Sequence, residues 1–181
     1  LTEIIVVTSG KGGVGKTNIS ANLAIALGQR GARVLAIDAD LGLANMDIIM
    51  GLAPTYTTAD VVSGEVPIED VIIPGAPNVW LLPGASGQHD LANLSDTGRR
   101  NLFTAVDGLD DRFDAIVVDT GAGIEPLFFA LVVVIADDHR RIVIGVAGVL
   151  GLNVFSSHNN PFSRALSTAT TIRDVPSMRI A

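Results

Sequence analysis

The sequence predicts an α/β fold, a mostly parallel β-sheet flanked by helices on both faces. Three observations predict it. Short apolar, β-branched runs alternate with segments of helical spacing. The first two such runs are joined through a glycine-rich loop and one helix-length segment, the order of a βαβ unit, whose crossover is nearly always right-handed. The chain has 181 residues, enough for one well-cored domain and short for two, so residues 1–181 are read as a single domain.

Taken in order, Glu3–Thr8 reads as a buried parallel strand ending in Ser9-Gly10. After the glycines, Ile19, Leu23, Ala26 and Leu27 recur at helical spacing, and Gly31 is a natural stop. Arg33–Ile37 is a second strand, ending at Asp38-Ala39-Asp40. Gly and Pro punctuate Gly42–Gly75, which leaves room for short helices around Asn45–Met50, Thr58–Val62 and Ile68–Ile72. Val79–Leu82 is a third strand, with Trp80 in the core, and Pro83-Gly84 a turn. Asp96–Leu109 forms a helix with Asp96 as cap and Leu102, Phe103, Val106 and Leu109 on one face. Phe113–Val118 is a fourth strand ending at Asp119-Thr120. Leu127–Ala136 fits helix or strand, since a short apolar run does not discriminate. Ile142–Ala147 is a strand. Asn160-Pro161 starts a last helix carrying Phe162, Leu166 and Ala169.

Composition narrows the function. The formal net charge is -7, a field that repels phosphate backbones and disfavours nucleic acid as a partner. No cysteine is present, which removes disulfides, thiolate metal sites and cysteine-ligated clusters and suits a cytoplasmic protein. The sequence opens on an apolar strand without the basic start of a secretion signal. The apolar stretches Leu127–Ala136 and Ile142–Phe155 are shorter than the roughly 20 residues that span a bilayer. His89, His139 and His158 are widely spaced and show no metal pattern.

Gly10-Lys11-Gly12-Gly13-Val14-Gly15-Lys16-Thr17 fits the spacing G-x-x-x-x-G-K-[ST] between a strand and a helix, the context a phosphate-binding loop (P-loop) requires. The glycines let backbone N–H groups approach phosphate oxygens, and the helix start adds unsatisfied N–H groups and a positive dipole end. Lys16 supplies a point charge at the β- and γ-phosphates. Thr17 supplies a hydroxyl ligand to magnesium. A plain Gly-rich turn needs neither. ATP and Mg2+ are therefore the expected ligands, with residues 10–17 and the following Asn18 as the nucleotide-binding set.

Lys11 adds a further signal. Lys-Gly-Gly-Val-Gly-Lys-Thr resembles the deviant Walker A motif of the MinD/ParA family of P-loop NTPases. In that family the matching lysine reaches across a dimer interface to the partner's nucleotide. The resemblance implies an ATPase that closes as a homodimer in the ATP state, with Lys11 and Lys16 both acting on the phosphates. Asp38, Asp40 and Asp119 would sit at the carboxyl ends of parallel strands, where α/β folds place ligands. Ile116-Val117-Val118-Asp119 has the Walker B form. By resemblance Asp119 holds magnesium through water, Asp40 orients the attacking water, and Asp38 stands nearby as a further candidate around the metal. Asp40–Asp47 resembles the family's first switch and Asp119–Ile124 its second, whose glycines permit movement.

Within the family, Asp38–Asp47 is similar to the branch that holds MinD and FlhG, while Thr58–Gly64, Leu82–Gly87, Leu91–Leu94 and Asp119–Ile124 are similar to FlhG (also called YlxH or FleN), which limits flagellar number and placement. MinD, the division-site regulator, is the alternative. ParA-type DNA-partitioning ATPases carry a Pro-Gln-Gly sequence that is lacking after Asp40, and the missing cysteines oppose a metal-cluster carrier. The branch implies membrane and partner association, with the SRP-type GTPase FlhF as one partner and a cytoplasmic or membrane-peripheral location. The strong resemblance covers residues 3–124. Beyond it the sequence departs from the family, and the adenine-contacting asparagine is not matched; Asn160–Val175 is the candidate for the membrane-targeting helix.

Overall fold

A computed structural model describes residues 2–40, 43–86, 96–109, 112–122, 141–148 and 151–156. Its elements are β1 (Glu3–Ser9), α1 (Lys16–Gln29), β2 (Val34–Ala39), α2 (Met46–Met50), α3 (Thr58–Ser63), α4 (Ile68–Val71), β3 (Ile73–Pro74), β4 (Val79–Leu82), α5 (Asp96–Asp107), β5 (Ala115–Ala122), β6 (Arg141–Gly148) and β7 (Gly151–Ser156). The sheet order is β3-β4-β2-β5-β1-β6-β7. The five inner strands are parallel, while β3 and β7 pair antiparallel at the edges.

Alternation along the inner strands divides the core into two layers. Ile4, Val6, Leu35, Ile37, Ile116 and Val118 pack with Val61 of α3, Ile68 and Val71 of α4, and Leu102 and Val106 of α5. Ile5, Val7, Val34, Ala36, Leu81 and Val117 pack on the other face with Ala21, Ala24 and Leu27 of α1 and Met46 of α2. Helices thus cover both faces, as the sequence predicts. Trp80 is partly buried against the first layer, edge-on to Phe113 at 5.6 Å.

Two expectations need correction. The buried face of α1 carries the small residues Ser20, Ala21, Ala24 and Gly28 beside Leu27, while Ile19 and Leu23 are only partly buried. The cause is close approach of the helix to the sheet. A Cβ at Gly28 would stand 2.6 Å from Val79 Cγ2 and 2.7 Å from the Pro77 carbonyl. Asp96 belongs to the first turn of α5 rather than preceding it as a cap. The edge strands β3 and β7 were not expected, because two residues and a glycine-led run give little periodic signal. The expectations for Gly87, Leu91–Leu94, Gly123, Ile124, Leu127–Ala136, the helix from Asn160 and the three histidines fall outside the described residues.

Strand order places the ligand crevice. From β1 the chain crosses to β2 on one side, and β6 lies against β1 on the other. The carboxyl ends of β1, β2 and β5 therefore open beside a point where the winding reverses, the place where open α/β sheets bind ligands.

Candidate nucleotide-binding site

The loop from Gly10 to Gly15 connects β1 to α1, with Gly10, Lys11, Gly12 and Gly13 exposed. Gly13 and Gly15 have φ of 71° and 87°, values that L side chains rarely adopt, and Gly15 is the residue from which α1 starts. A Cβ built on Gly10, Gly13 or Gly15 meets nothing within 4 Å. The loop is an open cradle, in which Gly13 and Gly15 are demanded by backbone conformation rather than by internal packing. Ser9 Oγ donates to the Lys11 carbonyl at 2.7 Å and fixes its entry.

Lys16 opens α1 and is only 7% exposed. Thr17 is half-buried and Asn18 exposed. Lys11 is exposed, and its ammonium makes no ion pair among the described residues.

Asp119, near the end of β5, is fully buried. Burial raises its pKa, and the hydroxyls of Thr17 and Ser20 and the Lys16 charge oppose that rise. Its Oδ1 accepts from Ser20 Oγ at 2.9 Å, while Oδ2 has no hydrogen-bond partner. A buried carboxylate oxygen without a partner is costly, and native structures rarely leave one without cause. Among the described residues no group of three or more His, Asp or Glu could hold a cation unaided. Magnesium requires less, binding through one or two carboxylates with waters and substrate phosphates. Thr17 and Asp119 fit that demand.

Asp38 lies opposite Asp119 in the β2–β5 register. Its Oδ2 accepts from the backbone N–H groups of Asn45 and Met46, each at 2.9 Å, and Oδ1 from that of Asp40 at 3.2 Å. Both oxygens are thus engaged by backbone donors. Asp38 anchors the loop after β2 and caps the start of α2. Burial pushes its pKa up to about 6, against those hydrogen bonds. Gly84 completes the packing: a Cβ there would stand 2.8 Å from the Asp38 carbonyl and 2.7 Å from Ala44 Cβ.

Asp40 is half-buried. Its Oδ1 accepts from the Leu43 N–H at 3.0 Å, and a Cβ on Gly121 would meet that oxygen at 3.3 Å. Asp40, the first residue of one switch-like segment, thus lies close to Gly121 of the other, with little room there for a side chain. Thr120 Oγ1 donates to the Val7 carbonyl at 3.1 Å, tying β5 to β1 beneath the loop. Sequence reasoning missed Thr120 and Ser20. A lone hydroxyl residue carries no spacing signal, although Ser20 falls one turn beyond Lys16 on the same helix face.

Residues 5–172 match the CobQ/CobB/MinD/ParA nucleotide binding domain. The antiactivator FleN of Pseudomonas aeruginosa is 48% identical over 122 residues, 67% of this chain and 44% of FleN. The flagellum site-determining protein YlxH of Helicobacter pylori is 44% identical over 123 residues, 68% of this chain and 42% of YlxH. The chain therefore spans less than half the length of these two relatives. The septum site-determining protein MinD of Pyrococcus horikoshii, complexed with Mg-ADP, superposes with a TM-score of 0.64 at 35% identity, covering 74% of this chain and 55% of MinD. No helix among the described residues is long and apolar enough to cross a membrane. A strand-loop-helix cradle, a buried lysine and a half-satisfied carboxylate stand together in a chain that belongs to the CobQ/CobB/MinD/ParA nucleotide-binding domain family.

Proposed function

We propose that this chain is the nucleotide-binding part of a MinD/ParA-type switch ATPase, of the FlhG kind, that binds ATP with magnesium and hydrolyses it to ADP and phosphate. The observation that carries this reading is the partnerless Asp119 Oδ2 beside Lys16 and Thr17, at the end of an open glycine cradle. The loop N–H groups and the α1 dipole hold the phosphates, and Lys16 neutralises charge on the transferred group. Thr17 and Asp119 would hold magnesium, which would supply positive charge against the charge that develops on the phosphates. Asp40 orients the attacking water. Its closeness to Gly121 gives phosphate release a route to both switch segments.

In this reading ATP closes a homodimer, the dimer engages a flagellar partner or a membrane surface, and hydrolysis releases it. The name of the YlxH relative, a flagellum site-determining protein, supports the flagellar role. Magnesium-dependent ATP turnover by the full chain, with and without lipid vesicles, tests the activity; binding without turnover would reduce the chain to a nucleotide-binding module.

Lys11→Ala tests assembly. Lys16 and the loop amides act within one chain, so nucleotide binding survives. Dimers with a non-hydrolysable ATP analogue are lost in sedimentation, and any dimer-stimulated hydrolysis falls on the order of 10³-fold or more, as for arginine fingers supplied in trans. Equal dimer formation by wild type and variant would remove Lys11 from the interface.

A further inference from the structure

Helix α1 brings a residue to the site that the loop pattern does not include. Ser20 is fully buried. Its hydroxyl stands 3.0 Å from the Lys16 carbonyl, four residues back, and 2.9 Å from Asp119 Oδ1, across 99 residues of chain. The first contact is what a serine inside a helix makes by default, and it would satisfy the hydroxyl alone. The second goes to a carboxylate, and a hydrogen bond to an ionised acceptor is roughly twice as strong as a neutral one. With one proton between two acceptors, the charged one takes the larger share.

The consequence lies on the carboxylate. Pinning Oδ1 to α1 removes the rotation by which Asp119 could find another partner for Oδ2, and Oδ2 is the atom left buried and partnerless. Thr17 and Ser20, three residues apart on α1, both act on this one carboxylate. We propose that Ser20 is a positioning residue, which holds Asp119 so that Oδ2 is presented beside Thr17 to a hydrated divalent cation on the nucleotide phosphates. This rests on the proposed ATP and magnesium site and deepens it.

The test is a magnesium titration of the full chain with a fluorescent ADP analogue, beside the same binding in EDTA. Losing a residue that orients a metal ligand typically costs 10–100-fold in metal affinity. Ser20→Ala is expected to raise the magnesium midpoint by roughly that factor while affinity in EDTA stays unchanged. Ser20→Thr, which keeps the hydroxyl, restores the midpoint. Ser20→Cys keeps the volume but donates weakly, so it behaves like Ser20→Ala; should the alanine variant fail to fold, the cysteine and threonine pair carries the test. Asp119→Asn is the reference for complete loss of magnesium dependence. If Ser20→Ala or Ser20→Cys titrates as wild type while Asp119→Asn does not, the positioning role is overturned and the magnesium site stands. If wild type itself binds the analogue without magnesium dependence, the proposed site fails and the positioning role falls with it.

Discussion

Strand β5 carries or adjoins two aspartates that the fold treats in opposite ways. Asp114 immediately precedes it, at the amino edge of the sheet. The Arg33 guanidinium grips it from two sides, Nε at 3.2 Å and a terminal nitrogen at 2.8 Å, and the Arg33 backbone N–H adds a third bond at 2.8 Å. That hydrogen bonding to Arg33 holds its pKa down at about 2. Asp119, five residues on and near the carboxyl edge, is buried with one oxygen unpartnered, and neighbouring Asp38 is pushed up to about 6. At the amino edge charge is matched within the chain and ties β2 to β5. At the carboxyl edge charge is held against its own desolvation, which leaves a site whose missing interactions a bound ligand would provide.

The largest effect that sharpens this contrast belongs to Lys16→Ala. Saturating MgATP stabilises only what it binds. At 100 times its dissociation constant the gain is about 2.7 kcal/mol, or roughly 5–10 °C in Tm for a chain of this size. Without the buried ammonium that rise is expected to vanish in a thermal melt. A full rise in the variant would place the phosphates elsewhere and end the assignment of the carboxyl edge as the ligand side.

Next comes the stability cost of that edge. Ionisation of Asp119 is disfavoured even after Lys16, Thr17 and Ser20 have acted on it. Asp119→Asn is therefore expected to stabilise the ligand-free chain at pH 7, by on the order of 1 kcal/mol, while abolishing stabilisation by magnesium with nucleotide. Asp38 adds a pH signature. Its folded pKa, about 6, lies above the ordinary aspartate value of 3.8. Its stabilising contribution is complete below about 4 and is lost as pH rises through about 6. Denaturation midpoints of the ligand-free chain should fall across that window, and Asp38→Asn should flatten the fall. A wild-type slope of the other sign would show that the carboxyl edge carries no such cost.

What could be read in advance follows the same division. The cradle was readable because Gly13 and Gly15 must adopt positive φ, and Lys16-Thr17 have no purpose in a plain turn. The inner strands were readable because both their faces are buried, giving unbroken apolar runs such as Ile4–Val7 and Ile116–Val118. The seam of α1 was misread because periodicity weighs large side chains, whereas the sheet approaches too closely for any Cβ at Gly28. Ser20 was invisible because its meaning lies in Asp119, a residue brought to it only by the fold. Asp38 was recognised as belonging to the site, yet its attachment to the Asn45 and Met46 amides depends on where the loop after β2 returns, and no spacing rule gives that.

The smallest effect is expected at the amino edge, and its smallness is the point. Arg33 and Asp114 are each about half exposed, at 49% and 50%, so water already solvates both charges and salt screens their attraction. Asp114→Asn keeps an acceptor for the Arg33 backbone N–H and removes only the charge. It should cost about 0.5–1 kcal/mol at pH 7, less at high salt, with nucleotide affinity unchanged. The pH sign is opposite to that of Asp38. A depressed pKa stabilises above the unfolded value and loses that contribution as pH falls through about 2, so wild type and Asp114→Asn should converge in acid. Urea denaturation at pH 7 and below pH 2, at two salt concentrations, measures all of this. A loss of several kcal/mol, or a change in magnesium-dependent nucleotide binding, would break the comparison, because the amino edge would then share in the function assigned to the other side of the sheet.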